Sequence, residues 1–145
     1  TIGTDDGANI EIRQQVGDEH IFICGLRTPQ VAALRNAGYD PMQRYADDAI
    51  LRSSLDAIAD GAFSPQDPAR HQDLVNALLW GGDHFLLLAD FAEYLAAQAL
   101  VDARYRNRDA WVQSAIANVA GMGAFSSDRS IREYAERIWQ VPSQR

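Results

Sequence analysis

The chain has no lysine: its 13 basic side chains other than histidine are all arginine. No side-chain amine is therefore available for covalent carbonyl chemistry anywhere in the 145 residues. Cysteine is almost as scarce. Cys24 stands alone, so no internal disulfide can form, and a reducing cytoplasm suits the composition. Its setting, Ile21-Phe22-Ile23-Cys24-Gly25, reads as that of a small buried hydrophobe, not a nucleophile. No apolar run is long enough to span a bilayer. Clustered positive charge is missing as well. The net charge is −7 with acidic residues spread along the chain, which argues against a nucleic-acid or anionic-membrane partner. The one basic stretch, Arg104-Tyr105-Arg106-Asn107-Arg108, falls at a junction between two expected helices and reads as a solvated helix end.

The catalytic signatures are equally sparse. His20, His71 and His84 lack metal-ligand spacing, and one cysteine cannot build a structural zinc site. No G-x-S-x-G elbow exists, and Ser126 and Ser127 read as caps of the last helix. No carboxylate pair is marked out as a general acid and base. Gly3 to Gly7 has the strand-to-helix context of a phosphate cradle, but Asp5 and Asp6 would repel an anion, so an acidic strand-to-helix turn is the better reading. Gly121-Met122-Gly123 follows a helix, where glycines end helices. Trp80, Trp111 and Trp139 could stack on sugars, but their place on apolar stripes favours core packing. Asp128 and Arg129 read as a structural pair, with Asp128 serving the helix start and Arg129 reaching elsewhere. The residues accordingly yield no catalytic, cofactor-binding or metal site.

What is present is a change of grammar along the chain. Up to Gly38, strand and helix alternate: Thr1–Thr4, a helix capped by Asp6 and stopped by Gly17, the apolar run His20–Cys24, and a helix capped by Thr28 with Pro29 at its first position. That is the order of a doubly wound parallel sheet. Two or three strands cannot complete one, so the others are expected upstream of Thr1. From Tyr39 onward the chain reads as mostly helical. Asp40-Pro41 opens one segment. Ile50, Leu51, Leu55 and Ile58 mark one inward face, and Leu74, Val75, Leu78 and Leu79 another. Ala62 to Arg70 is the best linker candidate, and Phe85–Leu88 reads as a short strand or extended approach. Asp90 is expected to cap a helix facing inward through Phe91, Tyr94, Leu95, Ala99 and Tyr105. Trp111, Ala115, Val119 and Met122 line the next. Ser127 or Asp128 caps the last helix, about 128–140, which Pro142 limits. Ile131, Tyr134, Ala135, Ile138 and Trp139 form its apolar stripe.

Thr1-Ile2-Gly3-Thr4 followed by Asp6-Gly7-Ala8-Asn9-Ile10-Glu11, together with Phe125-Ser126-Ser127-Asp128-Arg129 before Ile131, Tyr134-Ala135 and Ile138-Trp139, resembles the α-glucan phosphorylases, the family of glycogen, starch and maltodextrin phosphorylases. The likeness continues in Glu19–Gly25, in Asp83-His84-Phe85 with Ala89-Asp90-Phe91 and Tyr94, and in Trp111 with Asn118. Asp5 and Cys24 depart from the pattern, in places that concern local packing.

The resemblance implies an α/β, mostly helical fragment: the C-terminal end of a Rossmann-like second lobe in a two-lobed, GT-B-like glycosyltransferase. Residues 1–38 would end the sheet, residues 39–145 would be the helical part, and the last helix would cross to the absent N-terminal lobe. The parent enzyme would phosphorolyse terminal α-1,4-linked glucose to glucose 1-phosphate with retention. Its cofactor would be pyridoxal phosphate on a lysine just upstream of Thr1. The parent is expected to be a cytoplasmic homodimer acting on α-glucan and phosphate, and the fragment itself to be structural and inactive. The rival readings are a stand-alone helical interaction module, or the lobe of another two-lobed glycosyltransferase.

Overall fold

In the computed structural model, which describes residues 1–141, the chain is mostly helical with one two-stranded sheet. Strand β1 (Ile2–Thr4) pairs in parallel with β2 (Phe22–Cys24), and helix α1 (Gly7–Val16) connects them, followed by a 3-10 turn over Asp18–His20. Helices α2 (Thr28–Asn36), α3 (Pro41–Asp47), α4 (Ala49–Ala59), α5 (Gln72–Leu79), α6 (Leu87–Arg106), α7 (Arg108–Gly121) and α8 (Ser127–Glu133) come next, and a π-helical segment continues α8 over Tyr134–Trp139. The second strand is shorter than the run His20–Cys24 because the 3-10 turn takes its first residue. The stretch Ala62 to Arg70 is irregular apart from a 3-10 turn at Pro68–His71, and Phe85–Leu88 forms a turn and then a helix start, not a strand. Pro142 lies outside the described residues.

The chain forms two compact units, Thr1–Ile23 with Leu100–Arg145, and Cys24–Ala99. In the first, α7 packs on α1 and on the 18–20 turn. The approach of α1 to α7 is close: a Cβ on Gly121 would lie 2.8 Å from Val16 Cγ1, so this crossing needs glycine. Asp5 pairs with Arg13 at 2.9 Å, which holds the strand-to-helix turn against the middle of α1. Asp6 stands at the N-cap position, but its carboxylate accepts from Thr4 Oγ1 at 2.9 Å and not from a helix N–H.

In the second unit, Leu51 and Leu55 of α4 and Leu88 of α6 form a buried cluster against Tyr45, Ile58, Leu78, Leu79 and Phe91. Aspartates start its helices. Asp40 accepts from Met42 N–H, and Asp48 from the N–H groups of Ile50 and Leu51, at 2.9–3.0 Å. Two expected caps are displaced. Arg27, not Thr28, precedes α2, where its N–H donates to Gln30 Oε1 at 2.7 Å. Asp83, not Asp90, serves the start of α6. Of the residues expected to cap α8, Ser126 does so by accepting from Arg129 N–H, and Ser127 and Asp128 fall within the helix.

Only part of each expected apolar face turns inward. Leu51, Leu55 and Val75 are buried, while Ile50, Leu74, Tyr94, Tyr105 and Val119 are exposed. Of the tryptophans, Trp80 is 72% and Trp139 57% exposed, which corrects their reading as core residues of this chain. Trp111 is half-buried, in edge-to-face contact with Tyr105 at 5.1 Å.

Candidate functional site

The strongest convergence of polar groups lies in the first unit, where α7 meets the end of the 18–20 turn. Ser114 is 7% exposed, and its hydroxyl sits 3.2 Å from His20 Nδ1. Arg104 donates to Ser114 Oγ at 2.8 Å and to the Glu19 carbonyl at 3.0 Å, with its guanidinium 5.9 Å from the centre of the Phe22 ring. Asn118, one turn along α7, donates to the carbonyls of His20 and Ser114 at 2.8 Å, and its Oδ1 accepts from Thr1 Oγ1 at 3.2 Å. Glu19 Oε1 stands 3.6 Å from His20 Nε2.

Serine, histidine and glutamate in that order suggest an acyl-transfer triad. The geometry argues otherwise. Ser114 is buried and its oxygen already accepts from a guanidinium, so it is poorly placed to attack a carbonyl. The network instead satisfies every polar group it buries and fixes three segments on one another: the start of β1, the 18–20 turn and α7. Arg104 is thus no solvated helix end, although Arg106 is, pairing with Asp102 at 2.7 Å on the exposed surface. The side of the network next to Thr1 opens on a cavity of about 140 Å³ floored by Phe22, Trp111 and Ala115.

The second unit has a different polar centre. Asp83 is 2% exposed and adopts φ 43°, in the left-handed region where aspartate is tolerated better than most residues. Its carboxylate accepts from the N–H groups of Leu87 and Leu88 and from the Tyr39 hydroxyl, at 2.7–2.9 Å. Burial first, and then the bond to Asp83, push the Tyr39 hydroxyl well above the ordinary tyrosine range. Asp90 accepts from Leu26 N–H at 2.8 Å, where only glycine fits at position 25, since a Cβ there would lie 2.6 Å from Asp90 Oδ2. Cys24 is buried; burial raises its thiol pKa, and Asp90 and Glu93 add to the effect, so the thiol stays protonated and unreactive.

The other flagged residues do not converge. His71 lines a shallow depression with Phe63 and Arg70, and His84 contributes its carbonyl to Arg35 at 2.8 Å. Arg129 pairs with Glu133 of its own helix at 3.5 Å. Among the described residues no group of three metal-ligating side chains could hold an ion, and no helix is long and apolar enough to cross a membrane. Sequence reasoning missed Ser114 altogether, and took Asp83 as part of a family-like stretch without its role at the start of α6. Nothing in a lone serine inside a helix announces a buried network.

The chain matches the carbohydrate phosphorylase family over residues 1–141. It belongs to that family. It is 48% identical to the glycogen phosphorylase of Haemophilus influenzae over 97% of its own length and 17% of that protein's. It is 48% identical to the glycogen phosphorylase of Synechocystis, over 97% and 16%, and 45% identical to the brain form of mouse glycogen phosphorylase, over 97% and 17%. The chain therefore spans about a sixth of the length of these phosphorylases. The match takes in Asn118, Ser114 and Asp83 alike, so both polar centres lie within the family-like region.

Proposed function

We propose that this chain is the C-terminal part of an α-glucan phosphorylase, the end of a Rossmann-like second lobe in a two-lobed, GT-B-like enzyme. The observation that carries the reading is the family match across nearly the whole chain, to relatives named glycogen phosphorylase. The parent would transfer the terminal α-1,4-linked glucosyl unit of glycogen, starch or maltodextrin to inorganic phosphate, releasing glucose 1-phosphate with retention. It would act in the cytoplasm as a homodimer.

The parent's pyridoxal phosphate would supply a phosphate group that exchanges a proton with the substrate phosphate. The residues of this chain do not fit that cofactor. There is no lysine to bind it, and Arg104 is committed to the Glu19 carbonyl and Ser114. The chain's own part is therefore structural, with no catalytic group of its own. The network around Ser114 holds the first strand against α7, and Asp83 fixes the start of α6. The exposed apolar stripe Ile131, Tyr134, Ile138 and Trp139 suits a last helix that crosses to the N-terminal lobe.

Two measurements test the reading. The coding sequence upstream of Thr1 should carry a lysine-bearing N-M-K-F-type segment. The full parent should release glucose 1-phosphate from glucan and phosphate, and this chain alone should release none. A parent without phosphorolytic activity sinks the assignment, and glucose 1-phosphate formed by the chain alone sinks its structural role.

A further inference from the structure

We propose that the loop between α4 and α5 carries a surface seat for a neutral glucan, built on the Phe63 ring. The choice of a glucan rests on the reading of the parent as a glucan phosphorylase. Phe63 is 72% exposed. It borders an open depression of about 460 Å³, within the roughly 300–1,000 Å³ of small-ligand clefts, whose other walls include Gln66, Asp67, Arg70 and His71. An amide, a carboxylate, a guanidinium and an imidazole thus stand around one aromatic ring. None of these four side chains is spent inside the protein. Among the described residues they make no hydrogen bond or ion pair, and Asp67 stands at the N-cap position of the 68–71 turn without accepting from its N–H groups.

The chemistry of this set selects the ligand. A hexose offers apolar C–H faces that pack on an aromatic ring, and a rim of hydroxyls that both donate and accept. Arg70 supplies donors, Asp67 acceptors, and Gln66 one group of each kind. One guanidinium is set against one carboxylate, so the depression has no excess of positive charge to hold a phosphate. Its polar rim would be costly to bury under an apolar helix face. The loop is also set before a ligand arrives. Its ends touch: Gly61 has φ 74°, and a Cβ there would lie 2.5 Å from Pro68 Cα. Its backbone is closed by Ser64 N–H to the Gly61 carbonyl, Asp67 N–H to the Ser64 carbonyl and Arg70 N–H to the Asp67 carbonyl, at 2.9–3.0 Å. Pro65 and Pro68 fix φ at two more positions. A closed loop of this kind presents Phe63 from a fixed backbone, which lowers the ordering cost of binding.

The test is calorimetric binding of β-cyclodextrin to the full parent, because this closed ring of α-1,4-linked glucoses has no chain end for phosphorolysis. The wild type should bind it, and Phe63→Ala should weaken binding about tenfold. Leu74→Ala, which removes another exposed apolar side chain of the same unit, should bind as the wild type does. Release of glucose 1-phosphate from a short linear maltooligosaccharide should be unchanged in Phe63→Ala. No binding by the wild type, an unchanged affinity in Phe63→Ala, or an equal loss in Leu74→Ala overturns the proposal. A parallel loss of binding and of glucose 1-phosphate release in Phe63→Ala overturns it as well, because the seat would then not be separate from the reaction. A parent that binds cyclodextrin through Phe63 but releases no glucose 1-phosphate refutes the assigned reaction and leaves the seat standing, whereas an active parent whose binding ignores Phe63 refutes the seat alone.

Discussion

Seven of the nine buried apolar side chains among the described residues lie in the Cys24–Ala99 unit, and only Val16 and Ile21 in the unit built from the two ends of the chain. The first unit is fixed mainly by hydrogen bonds around Ser114 and by the Arg13–Asp5 pair, and it turns Ile116, Val119, Ile131, Ile138 and Trp139 outward. The second has an apolar cluster with one buried carboxylate at its edge. The difference teaches where side-chain volume matters and where register matters. Truncating an apolar residue is costly at many positions of the second unit and, in the first, chiefly at Val16 and Ile21, while the first depends on polar groups that set the mutual positions of its segments.

The sharpest way to break that comparison is Leu55→Ala. Leu55 is 4% exposed at the centre of the second unit's cluster. The substitution should cost about 3–4 kcal/mol in denaturant unfolding, from lost transfer energy and the cavity left behind. A loss under about 1 kcal/mol would mean that the cluster is not the unit's core.

Asp83→Ala comes next. It removes two N–H acceptor bonds at the start of α6 and leaves the Tyr39 hydroxyl without its partner. With a lost cap and a lost bond to a charged acceptor, about 2–3 kcal/mol is expected. Asp83→Asn, which keeps one side-chain carbonyl acceptor, should lose less. An equal loss in both would assign the effect to the carboxylate's charge and its second acceptor oxygen, because asparagine tolerates the left-handed backbone as aspartate does.

Ser114→Ala probes the first unit. It deletes one acceptor of Arg104 and the partner of His20 Nδ1 while removing little volume. About 1–2 kcal/mol is expected, less than for Leu55→Ala, because Arg104 keeps the Glu19 carbonyl. A cost equal to that of Leu55→Ala would erase the contrast between the units.

How legible was this in the sequence? The order of strands and helices was, because turn and cap residues such as Gly17 and Asp40-Pro41 act locally. The cap of α6 was not. Asp90 precedes the apolar residue Phe91 and fits the cap rule, yet the helix begins three residues earlier, because Asp83 and Leu86 both adopt left-handed backbone and close a turn there. No local rule predicts that conformation for a leucine. The Ser114 network was hidden because its members are separated by 85 to 117 residues in the longest links. Trp80 and Trp139 show a further limit: a stripe tells which face of a helix is apolar, not which partner covers it.

Tyr39 adds a pH signature of the second unit. Its hydroxyl is held protonated by burial and by Asp83. The folded pKa lies above the unfolded value near 10. Its contribution is then fully present below pH of about 10 and is lost as pH rises toward the folded value, because the unfolded chain releases the proton first. Stability should fall on that alkaline limb, and Tyr39→Phe should flatten the fall. An unchanged slope would detach Tyr39 from the Asp83 centre.

The smallest effect is expected at the last helix of the first unit. The π-helical segment brings residues five apart side by side, and Tyr134 stacks on Trp139 with ring centres 5.8 Å apart and 29° between planes. Ile138 is 62% exposed beside them. A carboxylate placed there removes little burial, and surface substitutions of this kind stay within about 0.5 kcal/mol. Ile138→Asp should therefore leave the stability of this chain almost unchanged, and acrylamide should quench Trp139 readily when it is the only tryptophan retained. In the full parent the same substitution should destabilise, and Trp139 should be shielded, if the stripe is the face that meets the other lobe. Measuring both proteins separates the two sources of burial. If Ile138→Asp unfolds the isolated chain, the stripe packs within its own unit, and the contrast between a unit fixed by polar register and one built on an apolar core fails at its outermost helix.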